Sequence, residues 1–310
     1  MIILNEDTLN NYSAPKSVAL GNFDGIHLGH QKLIKKAVEM SKLRELKSAV
    51  FTFKQHTSQI LRPEKKIDLI TTLRKKIEIL SNYNIDYGIF FNFTAEFSRI
   101  MPDDYINDIL IKKLNSKIII AGEDYRFGYR GTGSINTLQK YADKGKFDLI
   151  VINKVKVDGI VVSSSYIRGL IKSGNVEAAS KYLGRYFNLE GIVIKGKQIG
   201  RQLGFPTVNI KIDNNIIMPQ YGVYVTRIKI SNKYYLGVTN IGDNPTFNQD
   251  SVTIESFIID FSSEIYNEFI EIEFISKIRN EIKFKNIESL KIQIQKDINY
   301  AKKYKNILQV

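Results

Sequence analysis

Two imidazoles three residues apart, His27 and His30, follow the turn Gly21-Asn22-Phe23-Asp24-Gly25-Ile26, in a chain with only three histidines. Before the turn stands the short apolar run Val18-Ala19-Leu20, and after it Leu33, Ile34, Ala37 and Val38 recur at helical spacing. The pattern predicts a strand, a tight glycine turn and the start of a helix, which together aim backbone N–H groups at an anion. Residues three apart at a helix start share a face, so both rings can meet one bound group. There they could donate to polyphosphate oxygens whose charge grows as a phosphorus–oxygen bond breaks. A pair of ordinary surface histidines beside a turn is the alternative.

Three further clusters carry chemistry. Ser163, Ser164, Ser165 and Arg168 open a helix continued by Ile167, Leu170 and Ile171, and they can act as phosphate ligands with Arg168 as the charge-assisted donor. A lone capping serine with an incidental arginine is the plainer reading. Gly122-Glu123-Asp124-Tyr125-Arg126-Phe127-Gly128 is a glycine-bounded loop in which Asp124 is either a ligand or a cap. In the second half, Gly196, Gly200 and Gly204 let backbone N–H groups approach phosphates, and Lys197 and Arg201 add charge. Thr207 and Asn209 alternate, so in an extended segment both oxygens face one side and could hold Mg2+.

The elements that must position these residues follow from periodicity. Strands are expected at Ser48–Phe53, Tyr87–Phe91, Lys117–Ala121 and Leu149–Ile152, with helices at Leu69–Leu80 and Asp104–Leu114 between them. Strand and helix in alternation predict a doubly wound α/β domain with a parallel sheet. Each cluster of the first half then falls at the carboxyl end of a strand, where such sheets bind ligands. A short helix over Asn175–Leu183 stops at Gly184, and the boundary is placed near Arg185, giving domains 1–184 and 185–310. From there the period changes to two. Strands are expected at Leu189–Lys195, Gly222–Ile230, Lys233–Thr239, Thr253–Phe261 and Phe269–Ile275, with a hairpin at Ser231-Asn232 and a last helix from Ser289 to Tyr304. The economical architecture is a small antiparallel β-barrel capped by a C-terminal helix.

Composition narrows the classes. With no cysteine among 310 residues, disulfides, thiolate catalysis and Cys-based zinc sites are excluded. The formal charge of +13 invites a nucleic-acid partner, but the lysines are dispersed along the chain, and phosphate-rich small substrates would feel the same field. No apolar run approaches a membrane span and the N-terminus lacks a signal-peptide pattern, so a cytoplasmic protein without membrane contact is expected. A homo-oligomer is left open. Two familiar patterns fail: Gly191 to Lys197 fits a Walker loop until Gln198 replaces the required hydroxyl residue, and Gly131-x-Gly133 lacks the third glycine of a dinucleotide fingerprint, with Asn136 in its place.

Gly-Asn-Phe-Asp-Gly-x-His-x-Gly-His resembles the signature of the HxGH nucleotidyltransferases in its flavin-adenylylating version. Ser163 to Arg168 is similar to the Ser-Ser-Thr-x-Ile-Arg segment of those enzymes, with Ser165 for Thr. Gly122 to Gly128 resembles their segment beside adenine and ribose. Gly-Arg-x-Leu-Gly-Phe-Pro-Thr-x-Asn resembles the ATP and magnesium site of riboflavin kinases, with Val208 for the usual Ala. Met218–Tyr224, Asn240–Phe247, Ile254-Glu255 and Ile278–Phe284 follow in the order of that family. The two motif sets together resemble the bacterial bifunctional riboflavin kinase/FMN adenylyltransferases over nearly the whole chain. There are departures: Gln55-His56-Thr57 stands where the family often has Pro-His-Pro, and Phe257 where it has a histidine.

The resemblance implies phosphorylation of riboflavin to FMN in the second half, with Glu255 as base, Thr207 and Asn209 at the metal, and Gly196, Lys197, Gly200 and Arg201 at the nucleotide. It implies adenylylation of FMN to FAD in the first half, with His27, His30, Gly21, Asn22, Phe23, Asp124, Ser163, Ser164, Ser165 and Arg168 around ATP. Riboflavin, FMN and ATP are the expected small-molecule substrates. The rival readings are a relative with one silent half, a flavin-binding regulator of RNA, and a transferase for another phosphorylated alcohol.

Overall fold

The computed structural model describes residues 1–61, 68–196, 200, 203–213, 215–243 and 252–308. The chain divides into two compact units, Met1–Ser164 and Ser165–Val310.

In the first unit six parallel strands form one sheet: β1 (Ile2–Leu4), β2 (Lys16–Leu20), β3 (Lys47–Phe53), β4 (Tyr87–Phe91), β5 (Ser116–Gly122) and β6 (Asp148–Ile152), in the order β1-β4-β3-β2-β5-β6. Side chains alternate across this sheet, and those of the inner strands β2 to β5 are mostly buried on both faces, as parallel strands require. Val18 and Leu20 of β2 join a core with Tyr105, Ile106, Ile109 and Leu138. Ala19 between them joins the opposite core, with Leu33 and Ile34 of α1 (Leu28–Leu43) and Ile79 and Leu80 of α3 (Leu73–Ser81). Helix α2 (Thr57–Leu61) follows β3. Helices therefore cover both faces, and the doubly wound expectation holds.

Three local features depart from the sequence expectation. The helix expected from Leu69 starts at Leu73, because Ile70 and Thr71 give their N–H groups to Asp24 and Thr72 caps α3 through the Lys75 N–H. Between β4 and β5, α4 (Pro102–Asp104) continues as a π-helix over Tyr105–Lys113, with the Leu114 N–H on the Ile109 carbonyl five residues back. Helix α5 (Ile135–Ala142) begins in a capping box of Ser134 and Thr137. The unit ends in a small hairpin, β7 (Lys156–Val157) and β8 (Ile160–Val161), before α6 (Ser164–Lys172).

In the second unit α7 (Val176–Leu183), capped by Asn175 and ended by left-handed Gly184, packs on the barrel strands that follow. The barrel is closed and antiparallel, from β9 (Phe187–Ile194), β10 (Thr207–Ile212), β11 (Gly222–Ile230), β12 (Lys233–Asp243), β13 (Val252–Ile258) and β14 (Phe269–Arg279), in the order β10-β13-β12-β11-β14-β9. Closure removes free sheet edges. A row of hydroxyls, Thr226, Thr239 and Ser256, is fully buried and linked at 2.8 Å, while residues of the other parity pack under α8 (Ile287–Ala301). There Val225, Leu236 and Val238 meet Ile298 and Ala301. Arg279 at the end of β14 pins α8 through Asp297, its Nε donating to the carboxylate at 3.0 Å within an ion pair of 2.8 Å.

Candidate active sites

In the first sheet the chain leaves β2 toward β3 and β4, then returns to lay β5 on the other side of β2. That reversal opens a crevice at the carboxyl ends of β2 and β5, the position where open α/β sheets bind nucleotides. The two connections that line it are Gly21–His27 and the Gly122–Gly128 loop.

The turn is held in a conformation that its own residues disfavour. Phe23 and Ile26, both buried, have φ of 49° and 39°, which for a β-branched isoleucine is sustained only by the surroundings. Those surroundings are explicit. The buried Asp24 carboxylate accepts the Ile70 N–H at 3.0 Å and the Thr71 N–H at 3.3 Å. Thr71 Oγ1 accepts the Gly25 N–H at 3.2 Å, and the Asn22 carbonyl accepts from Lys76 Nζ at 2.9 Å and Thr52 Oγ1 at 3.1 Å. Ser164 donates its Oγ to the Asp24 carbonyl at 3.0 Å.

His27 is the N-cap of α1: its Nδ1 accepts the His30 N–H at 3.2 Å. An accepting Nδ1 carries no proton, so the ring proton sits on Nε2, from which His27 can donate. The His27 and His30 rings stack at 3.7 Å, and Phe23 supports His30 at 5.2 Å. Gly29 gives the His27 ring room: a Cβ there would stand 3.1 Å from it, close enough that the ring would have to give by a few tenths of an ångström.

The remaining residues expected in the first site are placed as follows. Asn22 is exposed, and its amide reaches Thr57 Oγ1 at 3.4 Å. Gly21 lies under Phe23, whose ring would be 3.2 Å from a Cβ. Asp124 is exposed at the end of β5 and pairs with Lys154 at 3.5 Å. Ser163 and Ser164 are half-buried, Ser165 is exposed on α6, and Arg168 follows Ser164 at the i+4 spacing that shares a helix face. His56 accepts the Ser58 N–H at the start of α2.

Two features escaped sequence reasoning. One is Lys76, a lysine on the buried face of α3; the signal was its place among Leu73, Ile79 and Leu80. The other is an aromatic wall after β3, β4 and β5, where half-buried Phe53 and Phe97 meet edge to face at 5.3 Å and Tyr125 stacks on Phe127 at 5.7 Å. Tyr125 shares a hydrogen bond with Tyr105, and burial pushes its phenol up to about 12, so both stay neutral donors.

In the barrel, register assembles the second site. Asn209 of β10 lies directly opposite Glu255 of β13, and Glu255 lies opposite Asn240 of β12. Directly opposed residues project to the same face, so Thr207, Asn209, Glu255 and Asn240 form one polar row, away from the buried Ser256 and Thr239. Asn240 is an addition to the expected set. Gly196 and Gly200 press against this row: a Cβ on Gly196 would overlap the Asn209 carboxamide, and one on Gly200 would lie 3.2 Å from Thr207 Oγ1. Lys197 and Arg201, and the segment Asn244–Phe247, lie outside the described residues. Among the described residues no group of three or more His, Cys, Asp or Glu side chains is placed to hold a metal ion. The hard oxygens of Thr207 and Asn209 suit a magnesium ion that keeps most of its shell from water and phosphate.

Both halves match known families. Residues 9–166 match the FAD synthetase family and residues 183–305 the riboflavin kinase family. The chain is 39% identical over 293 residues to the bifunctional riboflavin kinase/FMN adenylyltransferase of Buchnera aphidicola subsp. Acyrthosiphon pisum, covering 94% of this chain and 93% of that one. It is 37% identical over 284 residues to the enzyme of the same name from Listeria monocytogenes, covering 91% and 90%. The chain belongs to the bifunctional riboflavin kinase/FMN adenylyltransferase family. A solved structure from Streptococcus pneumoniae titled as a macrolide-efflux protein superposes with a TM-score of 0.89 at 29% identity, over 97% of this chain and 99% of that one. Among the described residues here, no helix is long and apolar enough to cross a membrane.

Proposed function

We infer that this chain phosphorylates riboflavin to FMN in its barrel and adenylylates FMN to FAD in its first unit. The observation that carries the reading is that one chain matches both families in series, nearly end to end, with a separate polar constellation in each.

In the kinase half the ribityl 5′-oxygen attacks the γ-phosphorus of ATP, the bond to the β-phosphate oxygen breaks, and ADP leaves. The hydroxyl proton needs an acceptor in the row, and Glu255 is the carboxylate there. Thr207 and Asn209 are the oxygens that would hold a nucleotide-bound Mg2+, which when present neutralises phosphate charge. Gly196 and Gly200, with Lys197 and Arg201, are assigned to the phosphates.

In the adenylyl half the nucleophile is the FMN phosphate, already anionic at neutral pH, so no base is needed. The task is to bring two anions together and stabilise the α-phosphorus transition state and the departing pyrophosphate. His27 Nε2, His30 and the first N–H groups of α1 are the donors at that point, and Gly21, Asn22 and Phe23 line the approach. Asp124, Ser163, Ser164, Ser165 and Arg168 are assigned to the nucleotide. The aromatic wall of Phe53, Phe97 and Tyr125 offers flat apolar area for a flavin ring. The proposed setting is the cytoplasm, where ATP is supplied.

Two single substitutions test the assignment. Glu255→Gln should lower FMN formation from riboflavin by about 10²–10⁴-fold and leave FAD formation from supplied FMN unchanged. His27→Asn should do the reverse. Loss of both activities from either substitution, or of neither, would contradict the division of labour.

A further inference from the structure

Lys76 is a lysine where the fold would accept an apolar residue: the same face of α3 buries Ile79 and Leu80. The residue is 7% exposed, and its Nζ donates to the Asn22 carbonyl at 2.9 Å. Burying an ammonium is costly unless it is hydrogen-bonded and opposed by charge. Burial lowers the Lys76 ammonium to about 8, with the Asp24 carboxylate acting in the opposite direction.

The Asn22 oxygen takes its second hydrogen bond from Thr52 on β3. Both donors therefore draw this carbonyl down toward β3 and α3. Across a trans peptide the carbonyl and the next N–H point to opposite sides. Holding the Asn22 oxygen inward turns the Phe23 N–H outward, at the residue whose φ of 49° is the first strained angle of the turn.

We propose that Lys76 is a positioning residue for adenylyl transfer: by holding the Asn22 carbonyl it presents the Phe23 N–H to the nucleotide phosphates. The proposal rests on reading the first unit as the adenylyl transferase. The hold is firmest while the amine is an ammonium, because a charged N–H donates to a carbonyl roughly twice as strongly as a neutral one. The charged group that faces it from the turn is Asp24, and Arg74, Lys75 and Glu78 are the charged neighbours on its own helix. Glu78 engages Lys75 at 2.8 Å and Arg74 at 3.2 Å. β3 faces it with the neutral hydroxyl of Thr52.

The test compares the full-length wild type with Lys76→Met and Lys76→Arg, measuring FAD from FMN and ATP, and FMN from riboflavin, in the same preparations across pH 6–10.5. In Lys76→Met, kcat for FAD formation should fall about 10–100-fold, by analogy with a misplaced oxyanion donor, with KM for FMN changed less than about threefold and the kinase rate unchanged. Wild-type FAD formation should decline as pH rises through about 8, and Lys76→Arg should carry that decline above pH 10, since a guanidinium stays charged. Unaltered kcat in Lys76→Met, or a decline at the same pH in Lys76→Arg, would overturn the proposal. Should Lys76→Met lose kinase activity too, the pH profile of Lys76→Arg alone decides. No FAD from the wild type would instead sink the adenylyl reading itself.

Discussion

Gly29→Ala separates the geometry of the two histidines from the stability of the fold. In the first turn of α1 an alanine is intrinsically favoured over glycine by about 1 kcal/mol. Its Cβ, however, would stand 3.1 Å from His27 Cε1 and 3.2 Å from Nδ1, inside the ~3.5–4.0 Å of ordinary carbon contacts. The ring has little room to yield, because it is buried, stacks on His30 at 3.7 Å and caps the helix through the His30 N–H at 3.2 Å. A retreat of a few tenths of an ångström stretches that cap to the edge of hydrogen-bonding range, and losing an N-cap costs about 1 kcal/mol. The two terms offset, so the melting temperature should move by no more than about 3 °C. Catalysis should not be spared. Since a 1 Å misplacement costs about 10²-fold, the smaller shift here should lower kcat for FAD formation about 10-fold. Chromatography of FMN and FAD, with riboflavin phosphorylation as an internal control, reads both outcomes. FAD turnover within twofold of wild type would refute the claim that Gly29 exists to seat the His27 ring.

In the barrel, Gly196→Ala should push the Asn209 carboxamide off its position and lower the kinase rate about 10–100-fold while FAD formation from supplied FMN is kept; an unchanged kinase rate would remove Asn209 from the site. Arg279→Ala leaves the Asp297 carboxylate, whose side chain is 3% exposed, without its main partner and should cost about 3 kcal/mol of stability. Calorimetry showing a loss below about 1 kcal/mol would mean that α8 is held by its apolar face alone. Lys76 makes a stability prediction of opposite sign to its activity prediction. Its folded value of about 8 lies below the ordinary 10.5, so between those pH values the unfolded chain holds the extra proton and stability rises with pH, by about 3 kcal/mol in all at ~1.36 kcal/mol per pH unit. Denaturant titrations of wild type and Lys76→Met should diverge in slope across that window, and parallel curves would count against a buried ammonium.

What was legible in the sequence is what local physics determines. The run Val18–Leu20 ends at a glycine turn and gives way to a helical period, so β2, the turn and α1 could be placed. Thr207 and Asn209 share a parity, which put both on one face of β10. Less legible was whatever is fixed by partners far along the chain. Ile2–Leu4 becomes β1 only by pairing with β4 through Tyr87, Gly88 and Ile89; three residues, two of them exposed, carry no strand signal of their own. Asp24 reads as a turn carboxylate, and its real task is to collect the N–H groups of Ile70 and Thr71, 46 and 47 residues on. The same pairing shortened the helix expected from Leu69. The opposition of Asn209, Glu255 and Asn240 depends on barrel register, which alternation alone does not set. The join read at Arg185 follows the change of period, whereas the division by packing falls after Ser164, because α7 packs on the barrel.

The central claim is that one chain performs two transfers in order, and isotopic labelling tests it directly. Purified protein would be given riboflavin, Mg2+ and ATP labelled at either the α- or the γ-phosphate, and the flavins separated over time. The account predicts γ-label in FMN first, then FAD carrying one phosphorus from the γ position and one from the α position. FMN that gains γ-label but never passes into α-labelled FAD, or FAD that forms only from supplied FMN and never from riboflavin, would contradict it.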